Sequence, residues 1–461
     1  MTVRPRSHRR PYLLAAFAIA VLIVVSVGAD YAPGAAGGYR KLTSKVGPGV
    51  HYTVIRNPKG PWRIQITSVA LDARSTLDVE LAHNQLGGAR ERTSSMARRR
   101  GAIAAINADF GWYRPMHVYA EDGHLVQTPP TWGANFMVDR AETTAYFRGR
   151  TSLEVSIERL TGSVEGDVSV DRVNSGKPGA RQVSVFSPAG GSVEEPPPNA
   201  CSARLLPLDR PRLLARGTGV RAAHKVVLSR CSREAMARMN GKVVATPRRG
   251  RRRSEVVGLR PGELVGLNWS FGGKGAFDTV GGYPLLMRNG AIQWDYLTGD
   301  RPFYGRHPRT GVGYDSDAGT VLFVTVDGRQ PGYSVGMTLP RFAQLFKSLG
   351  ADSALNLDGG GSTTMWVRGD VKNRPSDGAE RAVTSALLVL PRGDSEEVRR
   401  NAELGPVVAG APGRQSLTAL PPALASDPAS AAGLTAALRD RGFRLPVERG
   451  LQRPREPAAP R

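Results

Sequence analysis

Cysteine is nearly missing: the 461 residues hold two, Cys201 and Cys231. The sequence has no zinc-finger spacing, no RNP-like aromatic segment and no helix-turn-helix pattern. Nucleic acid is therefore not expected as a partner, although Lys and Arg outnumber Asp and Glu by 63 to 40 and the formal net charge is +23. That charge is largely arginine, with clusters at Arg98-Arg99-Arg100 and from Arg248 to Arg253. Such a field favours anionic partners, whether nucleic acid, a membrane surface or an acidic polymer. The plainer reading of the clusters is solvated loops in an arginine-rich chain.

Long apolar runs are scarce as well, with one exception. Arg4, Arg6, Arg9 and Arg10 precede an uncharged apolar stretch from about Tyr12 to Ala29, the order of a secretory signal. Residues 1–29 are read as a signal peptide, cleaved near Val27-Gly28-Ala29, or as a signal anchor, since the run is nearly long enough to span a bilayer. Either way the rest of the chain is exported, secreted or anchored, and touches the membrane only through this segment. No cysteine follows the run, so a lipoprotein anchor is not indicated. In an exported chain Cys201 and Cys231 are read as a disulfide, worth roughly 3 kcal/mol through chain entropy. A two-thiol metal site is the alternative, and no nearby histidine pattern favours it.

Residues 30–46 are rich in Gly and Ala and read as a linker, 47–393 as one large domain, and 394–461 as a Pro/Ala/Arg-rich, largely disordered tail. Trp62 to Leu71 and Leu77 to Leu81 alternate with period two, as half-buried strands do. From Glu121 to Phe186 the pattern is hairpins with D-G turns. Gly101 to Ile106 is an apolar strand that delivers Asn107 and Asp109 beside Phe110, Trp112 and Tyr113, a setting suited to a sugar. The segment bearing Cys201, Cys231 and Arg251 reads as peripheral. Leu339 to Gly350 is the clearest amphipathic helix, with Pro340 in its first turn and Gly350 at its end. The strands on either side of it end at Asp327 and Asp358, which predicts a strand-helix-strand unit with both carboxylates at the ends of neighbouring parallel strands. Asp315, Asp317 and Gly319 form a turn that could also seat calcium; no other metal or cofactor is expected.

The chemistry concentrates in Asn356-Leu357-Asp358-Gly359-Gly360-Gly361-Ser362-Thr363. A strand ending in a carboxylate, then three residues without a Cβ, then hydroxyls, lets backbone N–H groups approach an anion such as phosphate. Taken alone, it reads equally as a glycine turn capped by Asp358. It has company, however: Ala105-Ile106-Asn107, Gly281-Gly282-Tyr283-Pro284-Leu285-Leu286, Pro308-Arg309-Thr310-Gly311-Val312-Gly313, Val326-Asp327-Gly328-Arg329, and Pro375-Ser376-Asp377-Gly378 with Arg381.

In this order the six motifs resemble the phosphodiester glycosidase family, from about Gly47 to Leu390. The resemblance implies an exported α+β hydrolase, with mixed, largely antiparallel sheets flanked by a few helices, that cleaves a sugar from a sugar-1-phosphate diester. By position it assigns catalysis to Asp358 and Asn107. Substrate and phosphate contacts fall to Gly282, Arg309, Thr310, Asp327, Gly359, Gly360, Gly361, Ser362, Thr363, Asp377 and Arg381. Family members often carry small residues and a second aromatic after the asparagine, where this chain has Ala108-Asp109-Phe110-Gly111-Trp112, so Asp109 is a catalytic candidate by residue type and is not inherited. A phosphate leaving group needs cations and N–H donors around it, here Arg309, Arg381 and the loop amides, and the anomeric carbon needs a carboxylate. Plainer uses remain: Arg309 and Arg381 as ties between loops, Asp327 as a turn cap, Asn107 in an Asx-turn. The expected partner is an anionic, phosphate-containing glycan of the envelope-polymer, exopolysaccharide or teichoic-like kind; no oligomeric state is implied. Two other functions fit the same residues: a non-hydrolytic glycan-binding or exopolysaccharide-assembly protein, and a metal-dependent phosphodiesterase.

Overall fold

The computed structural model describes residues 40–391, apart from 72–74, 129–132, 140–143, 149–152, 162–165, 192 and 215–216. The signal or anchor segment and the C-terminal tail lie outside the described residues. The first sheet has eight antiparallel strands in the order Arg40–Gly47, Val50–Asn57, Trp62–Ala70, Thr320–Val326, Arg309–Asp315, Ser353–Asn356, Leu285–Arg288 and Ala291–Ile292. Its first strand takes in residues 40–46, which the sequence suggested as linker: they pair with Val50–Asn57 across a Gly-Pro-Gly turn.

A second sheet of five strands runs Asp370–Val371, Met365–Val367, Ala104–Asn107, Ser385–Pro391 and Ser75–Leu81. The two sheets share one apolar core, in which Val312, Phe323 and Leu355 meet Leu77, Ile106 and Leu387. Each sheet also carries a helix on its outer face. Leu339, Phe342, Ala343 and Phe346, at helical spacing in Leu339–Ser348, are all buried against the first sheet. They can come that close because Gly311 and Gly313 face them: a Cβ on Gly313 would lie 2.6 Å from the Phe346 ring, and one on Gly311 would lie 2.8 Å from Phe342. Thr93–Arg99 covers the second sheet through Met96 and Ala97, packed with Trp366 and Leu388.

Three expectations need correction. Asp327 and Asp358 do follow parallel strands, but those strands are not neighbours: Arg309–Asp315 lies between them, antiparallel to both, because it forms a tight hairpin with Thr320–Val326. The segment around the cysteines is not peripheral. It builds a nine-stranded sheet, Val168–Ser169 to Arg172–Val173, with its own core of Val155, Ile157, Val226, Val244, Leu267 and Phe271. Finally, strand outweighs helix more than an α+β description suggests. Among the described residues the α-helices are Thr93–Arg99, Arg253–Val257 and Leu339–Ser348, against four sheets of five or more strands, nearly all antiparallel.

Cys201 and Cys231 stand directly opposite each other on antiparallel strands and form the expected disulfide. Among the described residues no helix is long and apolar enough to cross a membrane.

Candidate active site

Asn107 ends a fully buried strand and is itself 0 % exposed. A buried amide must satisfy both ends of its side chain, and here it does so by joining three segments. Its Nδ2 donates to Asp358 O at 2.6 Å, while its Oδ1 accepts from Thr310 Oγ1 at 2.9 Å and from Thr364 N at 3.0 Å. Asp358 N donates in turn to Ala108 O at 3.0 Å. Asn107 and Thr310 therefore fix the Asp358 loop from within and do not line an open surface.

Asp358 is partly buried at the start of the glycine turn. Burial pushes its pKa up to about 6, and the nearby Asp109 carboxylate adds to the rise; the Ser362 side chain, the Arg381 charge and the Gly359 N–H pull the other way. Asp109 is 1 % exposed and both its oxygens are engaged by one residue, His117. Oδ2 accepts from the His117 backbone N at 2.8 Å and Oδ1 meets His117 Nδ1 at 2.6 Å. Since the carboxylate accepts, Nδ1 carries the proton. The imidazole packs into a glycine cradle: a Cβ on Gly281 would lie 2.0 Å from His117 Cβ, and one on Gly133 would lie 2.1 Å from its Cδ2.

The turn itself is tight. Gly360 N donates to Pro308 O, Ser362 N to Gly359 O, and Gly359 N serves the Asp358 carboxyl. The expected nest of loop amides is therefore corrected, because three of the four donors from Gly359 to Ser362 are already committed, two within the loop and one on Pro308. What lies against the turn instead is guanidinium. Gly361 has no room for a Cβ, which would sit 2.1 Å from Arg381 Nη2 and from Asp377 Oδ2. Arg381 donates to Asp377 Oδ2 through Nε (2.9 Å) and Nη2 (2.5 Å), and Nη1 reaches Ser362 Oγ at 3.5 Å. Gly360, at φ 61, lies under Arg329, whose Nη2 would be 3.1 Å from a Cβ there.

The two arginines of the sequence analysis part company here. Arg309 is 2 % exposed, and two of its three nitrogens are held by carbonyls: Nε by Met337 O (2.9 Å), Nη2 by Phe303 O (2.8 Å) and Gly305 O (2.7 Å). Burial and the Arg329 charge lower its pKa to about 10. It ties loops through Nε and Nη2, the plainer of the two uses read from the sequence, and a bidentate phosphate contact would have to displace the Nη2 bonds. Arg381 is 39 % exposed in an ion pair of the kind worth little in water, so it is easily redirected to a ligand.

Asp327 is likewise a brace. Its carboxylate, 1 % exposed, takes Gln65 Nε2 and Arg374 N at 3.0 Å each and Tyr333 OH at 3.4 Å, and burial raises its pKa to about 6. It thereby holds the segment that carries Asp377 and Arg381. Gly282 allows close strand approach, since a Cβ would lie 2.5 Å from Asn356 O. Thr363 is 1 % exposed, and its carbonyl accepts from Asn373 Nδ2. His117 and Arg329 were not singled out from the sequence. Arg329 lay within a quoted motif, whereas His117 had no local signal beyond its aromatic surroundings. Those surroundings form a wall: Phe110 is 6.3 Å from the His117 ring and 6.2 Å from Phe303, which stacks on Tyr283 at 6.1 Å.

For metals, the Asp315 carboxylate caps its own hairpin turn through Ala318 N at 2.9 Å. Among the described residues, the group with ligand atoms within 4.8 Å of one another is a different one, the buried Asp78, Asp122 and Asp278. Arg100 pairs there with Asp78 (2.5 Å) and Glu80 (3.1 Å).

Fold and site together define a β-rich protein whose polar centre is a carboxylate, a glycine turn and an exposed arginine fork, gathered at strand ends. The family model of the phosphodiester glycosidases matches residues 219–390, a little over a third of the chain. Asn107, Asp109 and His117 lie outside that segment. A 94-residue stretch is 43% identical to the uncharacterized SPbeta prophage-derived protein YomE of Bacillus subtilis, covering 20% of this chain and 14% of that protein. Two solved structures share the fold at 21% identity. One is a hypothetical protein from Synechocystis (TM-score 0.54, 75% of this chain and 62% of that one). The other is a Burkholderia pseudomallei K96243 protein whose name suggests export (TM-score 0.51, 73% and 75%).

Proposed function

We propose that this chain is an exported phosphodiester glycosidase that removes an N-acetylglucosamine-like sugar from a sugar-1-phosphate diester in a phosphate-containing glycan or envelope polymer. The observation that carries the reading is the setting of Asp358. A carboxylate with its pKa raised to about 6 stands between an exposed arginine fork and a buried Asp-His pair, on a turn whose missing Cβ atoms let Arg381 and Arg329 pack against it. The family match and the disulfide agree with an exported enzyme of this class.

In this reading the diester phosphate lies on the edge formed by Arg381, Gly361 and Arg329, where guanidinium charge stabilises it as it leaves. Asp358 faces the anomeric carbon and meets the positive charge that develops there. Asp109, with both oxygens engaged, orients His117 and leaves the anomeric carbon to Asp358. The products are a free sugar and a phosphomonoester.

The test is hydrolysis of a model N-acetylglucosamine 1-phosphodiester by the parent protein and by Asp358→Asn. The parent should release reducing sugar, and the variant should lose roughly 10³-fold in kcat, the scale of removing one group matched to a developing charge. Equal rates would overturn the role of Asp358. Cleavage without free reducing sugar, abolished by chelator, would identify a metal-dependent phosphodiesterase instead, and saturable binding without turnover a glycan-binding protein.

A further inference from the structure

Immediately after Asp109 the chain makes a loop for which cleavage of the diester has no use. Gly111 stands at φ 155, where a Cβ would lie 2.1 Å from Arg114 O, so no other residue turns there without displacing backbone. Met116 N closes the loop onto Phe110 O at 2.9 Å. Arg114 Nη1 anchors its far side to Glu194 Oε1 at 2.5 Å and to Asn174 O at 3.1 Å. The loop is thus fixed at several points, yet it holds Trp112 76 %, Tyr113 52 % and Met116 40 % exposed. A side chain of that size left in water forgoes about 1.5–3 kcal/mol of burial, and a fixed cluster of them marks a binding surface. The cluster is also cationic, since the Arg90 guanidinium lies over the Trp112 ring, 4.0 Å from its centroid.

Its position relative to the site follows from the strands. Arg381 leads directly into Ala382–Val383, which pairs with Glu91–Arg92, Val383 opposite Glu91, so Arg90 comes next to Thr384. Thr384 Oγ1 in turn lies 3.2 Å from the place of a Gly111 Cβ. From Arg381 to Arg90 and Trp112 is therefore one short strand, roughly 10 Å at about 3.3 Å per residue.

We infer that Arg90, Trp112 and Tyr113 form a subsite for the next sugar-phosphate unit of an anionic glycan chain, which makes the preferred substrate a polymer and not an isolated diester. The inference rests on the phosphodiester glycosidase reading. The apolar face of a sugar ring stacks on Trp112 and Tyr113, and the phosphate of that unit meets Arg90. Charge complementarity chooses this occupant: a neutral glycan would stack equally well but would leave the guanidinium unused.

Binding is measured apart from cleavage, by calorimetry on the full chain carrying Asp358→Asn, with N-acetylglucosamine oligomers joined through 1-phosphodiester links. Six repeats should bind roughly 10-fold more tightly than the methyl phosphodiester of a single N-acetylglucosamine, about 1.4 kcal/mol. Adding Trp112→Ala should erase that difference and leave single-unit binding within about twofold. In the otherwise unaltered protein, Trp112→Ala should raise KM for six repeats while sparing kcat/KM for the small diester. Unchanged six-repeat affinity in Trp112→Ala would overturn the subsite. So would Trp112-dependent retention on phosphatidylglycerol vesicles without any oligomer binding, which would make the loop a membrane contact. If the parent cleaves no diester but six-repeat binding still depends on Trp112, the subsite stands and the hydrolase reading falls.

Discussion

In the proposed mechanism Asp358 serves function at a cost to stability. Its folded pKa, about 6, lies above its ordinary value of 3.8, so the folded state favours the neutral form. That contribution is fully present below pH 4 and is lost as pH rises through 6. Catalysis needs the opposite, the ionised form, so kcat/KM should fall as pH drops below about 6. Asp358→Asn should accordingly be more stable than the parent at pH 8, by about 1–3 kcal/mol in urea unfolding, and nearly equal to it at pH 4. A variant less stable at pH 8 would show that the side chain is held by interactions worth more than its desolvation. Arg309 and Arg381 make the complementary pair. Arg381→Ala should cost under about 1 kcal/mol of stability and roughly 10²-fold in activity. Arg309→Ala should cost about 2–4 kcal/mol, because three carbonyls lose a buried charged donor. Thermal unfolding and initial rates on the same preparations separate the two roles, and equal stability losses would dissolve the distinction. Sequence motifs found both arginines; which one is tied into the fold depends on the 303–305 and 337 carbonyls, which no local pattern announces.

At the scale of elements, the helix Leu339–Ser348 was legible because its periodicity, proline and terminal glycine all agree. What it rests on was less so. Gly311 and Gly313 stand in a motif quoted for its chemistry, but their contribution is steric, opening the sheet surface to Phe342 and Phe346. Phe346→Ala should therefore cost about 3–5 kcal/mol, read as a lower urea midpoint, and Gly313→Ala should be destabilising rather than neutral. A Gly313→Ala protein as stable as the parent would mean the helix can lift off without penalty. The strand after Asp315 was also legible, but its pairing was not. Strand-helix-strand patterns suggest parallel neighbours, and the hairpin partner that separates them comes earlier in the chain.

For the molecule as a whole, six ordered motifs carried the family resemblance and named most residues of the polar centre. The nine-stranded sheet was only partly legible, as hairpins up to Phe186; its strands from Ala200 to Pro247 are punctuated by arginine and proline, so its apolar face appears only when Val155, Val226, Val244 and Leu267 are brought together. The sharing of the two central sheets between the ends of the described chain has a further consequence, for the order in which the protein is made. Trp62–Ala70 completes its pairing only on Thr320–Val326, and Ser75–Leu81 only on Ser385–Pro391. A chain emerging from its N-terminus therefore carries unpaired strand edges until about residue 391 is available, and such long-range closure is slow. Basic edges such as Arg40–Gly47, with Arg40, Lys41 and Lys45, and the charged loops keep those waiting strands apart from other chains. A fragment limited to residues 219–390 would inherit the glycine turn and Arg381 without the strands that hold them in place.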